Sequence, residues 1–210
     1  MTSSTTSSSG SSTTAQPISW YRGFIQGKTR ITLAWIFAIA LVFCARNYPS
    51  WPGITLCFVG ATLRFWASGF LRKDNRPAVG GPYAITRNPL YLGTFVMALG
   101  TCLAIENFWL LGALFVSFTA IYHYIILDEE TKLERIFGAS YLTYKTLVPR
   151  FFPRPWPVSK NALMTVNPEE AHHHFSWGLA KKNKALEPYW SFAGLIAVIF
   201  GVAYLWKAWG

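Results

Sequence analysis

The chain has 210 residues, of which 52% are hydrophobic, 17% aromatic and only 13% charged, with a formal net charge of +10. So large an apolar share with so few charges argues against an ordinary soluble domain and for a membrane protein. The positive charge would suit nucleic acid, but its distribution along the chain serves membrane orientation and attraction to anionic headgroups better.

Residues 1–18 are dominated by Ser and Thr, carry no basic residue and lead into no cleavage pattern, so they are expected to form a disordered tail and not a signal peptide. Trp20 to Lys28 mixes aromatic and basic residues and is expected at the membrane surface. A spanning helix needs about 20 largely apolar residues. Five stretches come near that length: Ile31–Ala45, Trp51–Phe70, Pro89–Ile105, Asn107–Leu127 and Tyr189–Trp206. The first is short, but Tyr48 and Trp51 beside it are rings suited to the headgroup level. The second carries Arg64, which either snorkels to the interface or faces a polar cavity.

Between the second and third spans lies LRKDNRPAVGG, ending in Gly80-Gly81-Pro82. The glycines permit positive φ, and Pro82 disfavours an α conformation at Gly81. Pro89 suits a first helical turn, so the third helix is expected to start near Asn88 or Pro89, with its free amides and positive dipole end able to hold an anion. Only Glu106-Asn107 separates the third and fourth spans, which predicts a tight antiparallel hairpin. From Asp128 to Val148, Leu133, Ile136, Phe137, Tyr141, Tyr144 and Val148 recur at steps of three or four. That spacing predicts a surface-lying amphipathic helix nicked at Gly138, with Tyr141 and Tyr144 in interfacial packing rather than direct catalysis. Asp128, Glu129, Glu130 and Glu134 crowd its start, and compensation of the helix dipole accounts for some of them. The proline-rich VPRFFPRPWP then ends regular structure. Residues 156–210 hold a loop and the last span. His172, His173 and His174 in that loop read as solvated, since adjacent histidines do not supply convergent metal geometry. Cys44, Cys57 and Cys102 have neither disulfide nor metal spacing and read as small packing residues.

Sixteen of the nineteen basic residues fall on one side of this arrangement. The positive-inside rule then places the N-terminus and both long loops in the cytosol and the C-terminus outside. The expected fold is all-α and polytopic, with about five transmembrane helices plus the interfacial helix. Its core would be 19–155.

The hairpin should bring Arg87, Asn88 and Tyr91, at the start of the third span, beside Glu129 and Glu130, at the end of the fourth. Arginine, an open helix N-terminus, carboxylates and aromatic rings together suit a zwitterion bearing a further cation. S-adenosyl-L-methionine is such a molecule, and transfer of its methyl group asks the protein mainly for orientation, exclusion of water and charge compensation.

GPYAITRNPLYLG followed by EETKLERIFGASYLTYKTLVPRFFP resembles the isoprenylcysteine carboxyl methyltransferase and phospholipid methyltransferase family of integral membrane enzymes, over roughly residues 60 to 155. The resemblance implies that Arg87, Pro89, Tyr91 and Gly93, with Tyr83 and Asn88, form the S-adenosyl-L-methionine pocket. It implies that Glu129 and Glu130 line the same pocket, and that Arg87 and Glu130 also approach the methyl acceptor as catalytic residues. Asn88 stands where the eukaryotic carboxyl methyltransferases have His, and an amide cannot take a proton. The implied acceptor is lipophilic, whether a prenylcysteine-like carboxylate, a phospholipid amine or a small lipophilic acid or thiol. The implied surroundings are membrane lipids; neither nucleic acid nor a metal is expected. Two other classes are compatible with the composition: a membrane reductase of the sterol-reductase type using NADPH, and a non-enzymatic transporter or assembly protein.

Overall fold

The computed structural model describes residues 42–72 and 77–209, together with Ile36, Ile39 and Ala40. The tail 1–18, the segment Trp20 to Lys28 and most of the first expected span lie outside the described residues. Among the described residues there are helices, turns and irregular segments, and no strand.

Helix α1, Trp51–Ser68, begins with proline in its first turn, where a missing N–H costs no helix bond. It is hooked onto the far end of α2, Pro89–Ile105: the Ser50 amide donates to the Ala104 carbonyl at 2.9 Å, and the Ser50 hydroxyl to the Leu103 carbonyl at 3.0 Å. The two helices touch along glycines. A methyl group added at Gly60 would stand 2.6 Å from the Met97 amide nitrogen and 2.7 Å from the Gly93 carbonyl oxygen. One added at Gly100 would meet Cys57 and the Gly53 carbonyl at 2.6 to 2.8 Å. Where lipid is as apolar as the side chains, such close backbone approach is what holds helices together. Because the atoms in the way at Gly60 include backbone, Gly60→Ala is expected to destabilise the protein by about 1–3 kcal/mol, the usual range for overpacking. Gly112→Ala, whose added methyl would meet no described residue outside its own helix turn within 4 Å, is expected to be neutral or slightly stabilising. Thermal unfolding in detergent checks both.

The hairpin is present. Helix α2 ends on Glu106 in the left-handed region at φ 58°, and the Asn107 side chain then caps α3, Phe108–Phe137, by accepting from the Leu110 amide at 3.1 Å. Helix α3 does not stop at Leu127, where the fourth span was expected to end, but continues for ten further residues. The break comes at Gly138, at φ 55°, after which α4 runs from Ala139 to Leu147. The expected separate amphipathic helix is thus the last part of α3 plus α4. Its acids are far from a helix N-terminus, so dipole compensation explains none of them. Partners explain all four. Asp128 pairs with Lys132 at 2.7 Å, Glu134 pairs with Lys145, and Glu129 and Glu130 belong to the site described below.

Tyr141 and Tyr144 are not interfacial. Both are 2% exposed, packed with Val79, Ala84, Val148 and Val158. This small core joins α4 to a cap made of α5 (Lys160–Met164), α6 (Pro168–Ala171) and α7 (Trp177–Lys182). Side-chain amides fasten the cap to the segment after α1: Asn167 donates to the Pro77 carbonyl at 3.2 Å, and Asn183 to those of Ser68 and Leu71 at 3.0 and 2.7 Å. Arg72 and the buried Glu170 pair at 3.0 Å. His172 and His174 are exposed, and the His173 ring lies against Phe70 with centroids 5.8 Å apart. Cys44, Cys57 and Cys102 are free thiols.

Helix α8, Glu187–Trp209, closes the chain and packs beside α1. Of the five expected spans, α3 and α8 are long and apolar enough to cross a membrane, and α2 is a shorter apolar helix. Helix α1 carries Arg64 within its apolar sequence.

Candidate functional site

The site is built where the chain passes from the Gly80 turn into α2. Gly81 takes φ 56°, as its sequence context predicts, and opens a short 3-10 turn, Gly81–Ala84. Residues 84–88 are then held by the proline-rich segment that follows α4. Arg87 donates its amide to the Pro149 carbonyl at 2.9 Å, the Thr86 hydroxyl donates to the Phe151 carbonyl at 3.0 Å, and the Asn88 side chain donates to the Arg150 carbonyl at 2.8 Å. Two more backbone bonds, Arg154 to Ile85 and Val158 to Ala84, continue the strap. The VPRFFPRPWP segment lacks regular structure but fixes the position of Arg87 and delivers Arg150 to the same place.

Arg87 and Glu130 meet. Arg87 Nη2 stands 3.0 Å from Glu130 Oε1, with the two side chains 6% and 3% exposed. Arg150 holds the other oxygen of Glu130 through Nε and Nη2, both at 3.1 Å. One buried carboxylate therefore serves two guanidinium groups. The contact from Arg87 is close in distance but lacks hydrogen-bond direction, and Nε and Nη1 of Arg87 are buried without any acceptor among the described residues. A guanidinium presents a rigid fork of donors, and buried donors are rarely left unmet.

Beside Arg87 lies a cavity of about 590 Å³, in the ordinary range for a small-molecule site. Its walls include Tyr83, Arg87, Asn88, Tyr91, Tyr122 and Glu129. Pro89 and Leu90 bring the start of α2 into the wall, and no side chain caps that helix end. Tyr91 donates its hydroxyl to Glu129 at 2.7 Å, and its ring packs on Tyr122 at 5.5 Å. Tyr83, Tyr141 and Tyr144 also contribute walls, and burial pushes all three phenols well above their ordinary pKa. They remain protonated donors at neutral pH. Tyr144 uses its proton on the Tyr83 carbonyl at 2.7 Å, and the buried Tyr83 hydroxyl has no partner among the described residues.

The expected site residues fall into three groups. Tyr83, Arg87, Asn88, Pro89, Tyr91 and Glu129 line the cavity. Glu130 stands behind Arg87. Gly93 faces α1, where an added methyl would meet Arg64 Cγ at 2.6 Å and the Gly60 carbonyl oxygen at 2.9 Å. Its service is to let Arg64 pass. The Asn88 amide is engaged with the strap. Arg150 is one of the sixteen basic residues that set the expected orientation, and its place between prolines at the end of an amphipathic helix is the sequence signal for its role here. Arg64, left open between two readings, lies in the cavity wall and donates from Nη1 to the Thr94 hydroxyl and to the Leu90 carbonyl at 3.4 Å. Among the described residues no group of three or more His, Cys, Asp or Glu is placed to hold a metal.

Residues 55–140, which include α2 and both halves of this constellation, match the family model of phospholipid methyltransferase. The chain is 33% identical over 104 residues to the nickel-cobalt-cadmium resistance protein NccN of Alcaligenes xylosoxydans xylosoxydans, covering 49% of this chain and 47% of that protein. It is 28% identical over 137 residues to the cobalt-zinc-cadmium resistance protein CzcN of Cupriavidus metallidurans, covering 61% and 63%. It is 35% identical over 81 residues to the protein-S-isoprenylcysteine O-methyltransferase of Schizosaccharomyces pombe, covering 39% and 34%. The matches thus span between 34% and 63% of those proteins' lengths. No solved structure matches the chain.

Proposed function

We propose that this protein is an S-adenosyl-L-methionine-dependent methyltransferase acting on a lipophilic acceptor in the membrane. In this reading the chain is multi-pass, the N-terminus and the donor cavity face the cytosol, and the acceptor arrives laterally from the bilayer. The observation that carries it is the junction of Arg87, with two buried nitrogens lacking an acceptor, and the uncapped start of α2 at one cavity of suitable volume. Both elements favour an anion, and the donor's amino-acid end carries a carboxylate.

The residues present fit the donor. Arg87 and the α2 amides would hold the carboxylate, Glu129 the ammonium group, and the rings of Tyr91 and Tyr122 would exclude water. The Tyr83 hydroxyl is a further neutral donor. Glu130, expected to approach the acceptor, acts here through Arg87 as a positioning residue. Bound S-adenosyl-L-methionine supplies an electrophilic methyl group: a bond forms from acceptor to methyl carbon while the sulfur–carbon bond breaks, the electron pair staying on sulfur. The protein then has to align the two partners and keep water away. The match to the family model over 55–140 and the similarity to an isoprenylcysteine methyltransferase support the reading.

The test is to incubate the purified protein with methyl-labelled donor and a lipid extract. Label in a lipid-soluble product is expected, with loss of transfer in Glu129→Gln. Consumption of NADPH without methyl transfer would favour the reductase class, and neither activity would favour a non-enzymatic role.

A further inference from the structure

A second cavity, of about 410 Å³, lies between α1, α2 and α8. Cys57, Met97, Thr101, Ser191, Phe192 and Leu195 contribute to it, a mostly apolar wall with scattered small polar groups. Ser191 is exposed, so the groove is open to its surroundings along α8. Arg64 and Thr94 belong to the walls of both this groove and the donor cavity.

Arg64 is the unusual element. Arg72, Arg87 and Arg150 each meet a carboxylate within 3.1 Å, whereas Arg64 has no acidic partner among the described residues. Its hydrogen bonds go to a hydroxyl and a carbonyl, both neutral. Glu187, a wall residue of the groove, acts on Arg64 through its charge without contacting it, and its own contact is with Lys184 at 2.9 Å. The helix ends one turn after Arg64, so the negative end of the dipole lowers the cost of the charge without supplying a counter-ion. A cation kept within an apolar helix and facing a cavity calls for an anion from outside.

We propose that this groove is the acceptor site and that Arg64 holds the acceptor's carboxylate, with its hydrocarbon chain lying along Met97, Phe192 and Leu195. The proposal rests on the methyl-transfer reading above and narrows its acceptor to a long-chain carboxylic acid. An alkylammonium would be repelled by Arg64 and would also have to shed a proton. A carboxylate sheds none: its oxygen–carbon bond to the methyl group forms as the sulfur–carbon bond breaks with its pair kept on sulfur. The carboxylate and sulfonium charges cancel, giving a neutral ester and a neutral thioether.

The probes are palmitic acid carrying a diazirine near its far end, the methyl ester of that acid and the matching alkylamine, each photolysed with the full chain in detergent. The acid is expected to label peptides of α1, α2 and α8, about tenfold more than ester or amine, the ratio set by one charge-assisted hydrogen-bonded contact. Arg64→Met should bring the acid down to the ester's level, while Arg64→Lys should keep part of the preference. Ser191→Trp, which fills the groove away from the donor cavity, should reduce labelling by acid and ester while S-adenosylhomocysteine still binds. Equal labelling by acid and ester in the wild type, label confined to other segments, or labelling unaffected by Ser191→Trp would overturn the assignment. If wild-type protein failed to bind S-adenosylhomocysteine while acid labelling followed the expected pattern, the methyl-transfer reading would fall and the anionic groove would stand.

Discussion

Glu130→Gln is expected to destabilise the folded protein by about 3–5 kcal/mol, the usual consequence of removing one partner from a buried ion pair. Glu130 is 2% exposed and is the counter-ion for Arg87 and Arg150. The amide has the shape of the acid but no charge, so it would leave two guanidinium groups converging on a neutral partner. Arg150, at 38% side-chain exposure, could turn towards water, whereas Arg87, at 6%, could not. The double variant Glu130→Gln with Arg150→Gln should therefore recover part of the loss and no more. Glu129→Gln is the comparison, because Glu129 accepts its hydrogen bond from the neutral Tyr91 hydroxyl; a change of about 1 kcal/mol is expected there. Unfolding in detergent by heat or denaturant reads all three. A Glu130→Gln protein as stable as the Glu129→Gln protein would show that the carboxylate is not what holds Arg87 in place.

This outcome bears on what the sequence could disclose. Pro89, the Glu106-Asn107 turn and the Gly81 and Gly138 breaks act through local backbone rules, and each was legible because a single residue type decides the conformation. The proximity of Arg87 to Glu130 was legible at second hand, from a hairpin that must return the chain to its own side. Sequence could not distinguish a dipole-compensating acid from one awaiting a distant partner, since both appear as acid near a helix end. Helix α3 passes through Asp128 without a break because Asp128, Glu129, Glu130 and Glu134 each find an opposite charge or a donor, three of them from segments outside the helix. Gly93 carries a similar ambiguity. Its place within the motif suggests the pocket, and its hydrogen-only side chain also serves the contact with α1 and the passage of Arg64. The strap of 149–158 was hidden because it is held by single bonds to irregular backbone, which carries no periodicity.

Arg87→Met is expected to weaken binding of S-adenosylhomocysteine by about 10- to 100-fold, the value of a charge-assisted hydrogen-bonded pair in a buried setting. The donor analogue retains the amino-acid carboxylate, and Arg87 offers the two nitrogens without an acceptor on a residue that lines the cavity. Arg87→Lys keeps the charge but loses the planar fork, so it should recover only part of the affinity. Fold loss is not the expected confounder, because Glu130 keeps both of its contacts from Arg150 when Arg87 is removed. The decisive control is 5′-methylthioadenosine, which has the nucleoside and the thioether but no carboxylate. It should bind wild type and Arg87→Met alike, measured by competition or calorimetry in detergent. If both ligands weakened together, the effect of Arg87 would be on the shape of the cavity and not on the carboxylate. If neither weakened, the unpartnered guanidinium nitrogens would have to serve some other anion, and the donor would need a different anchor.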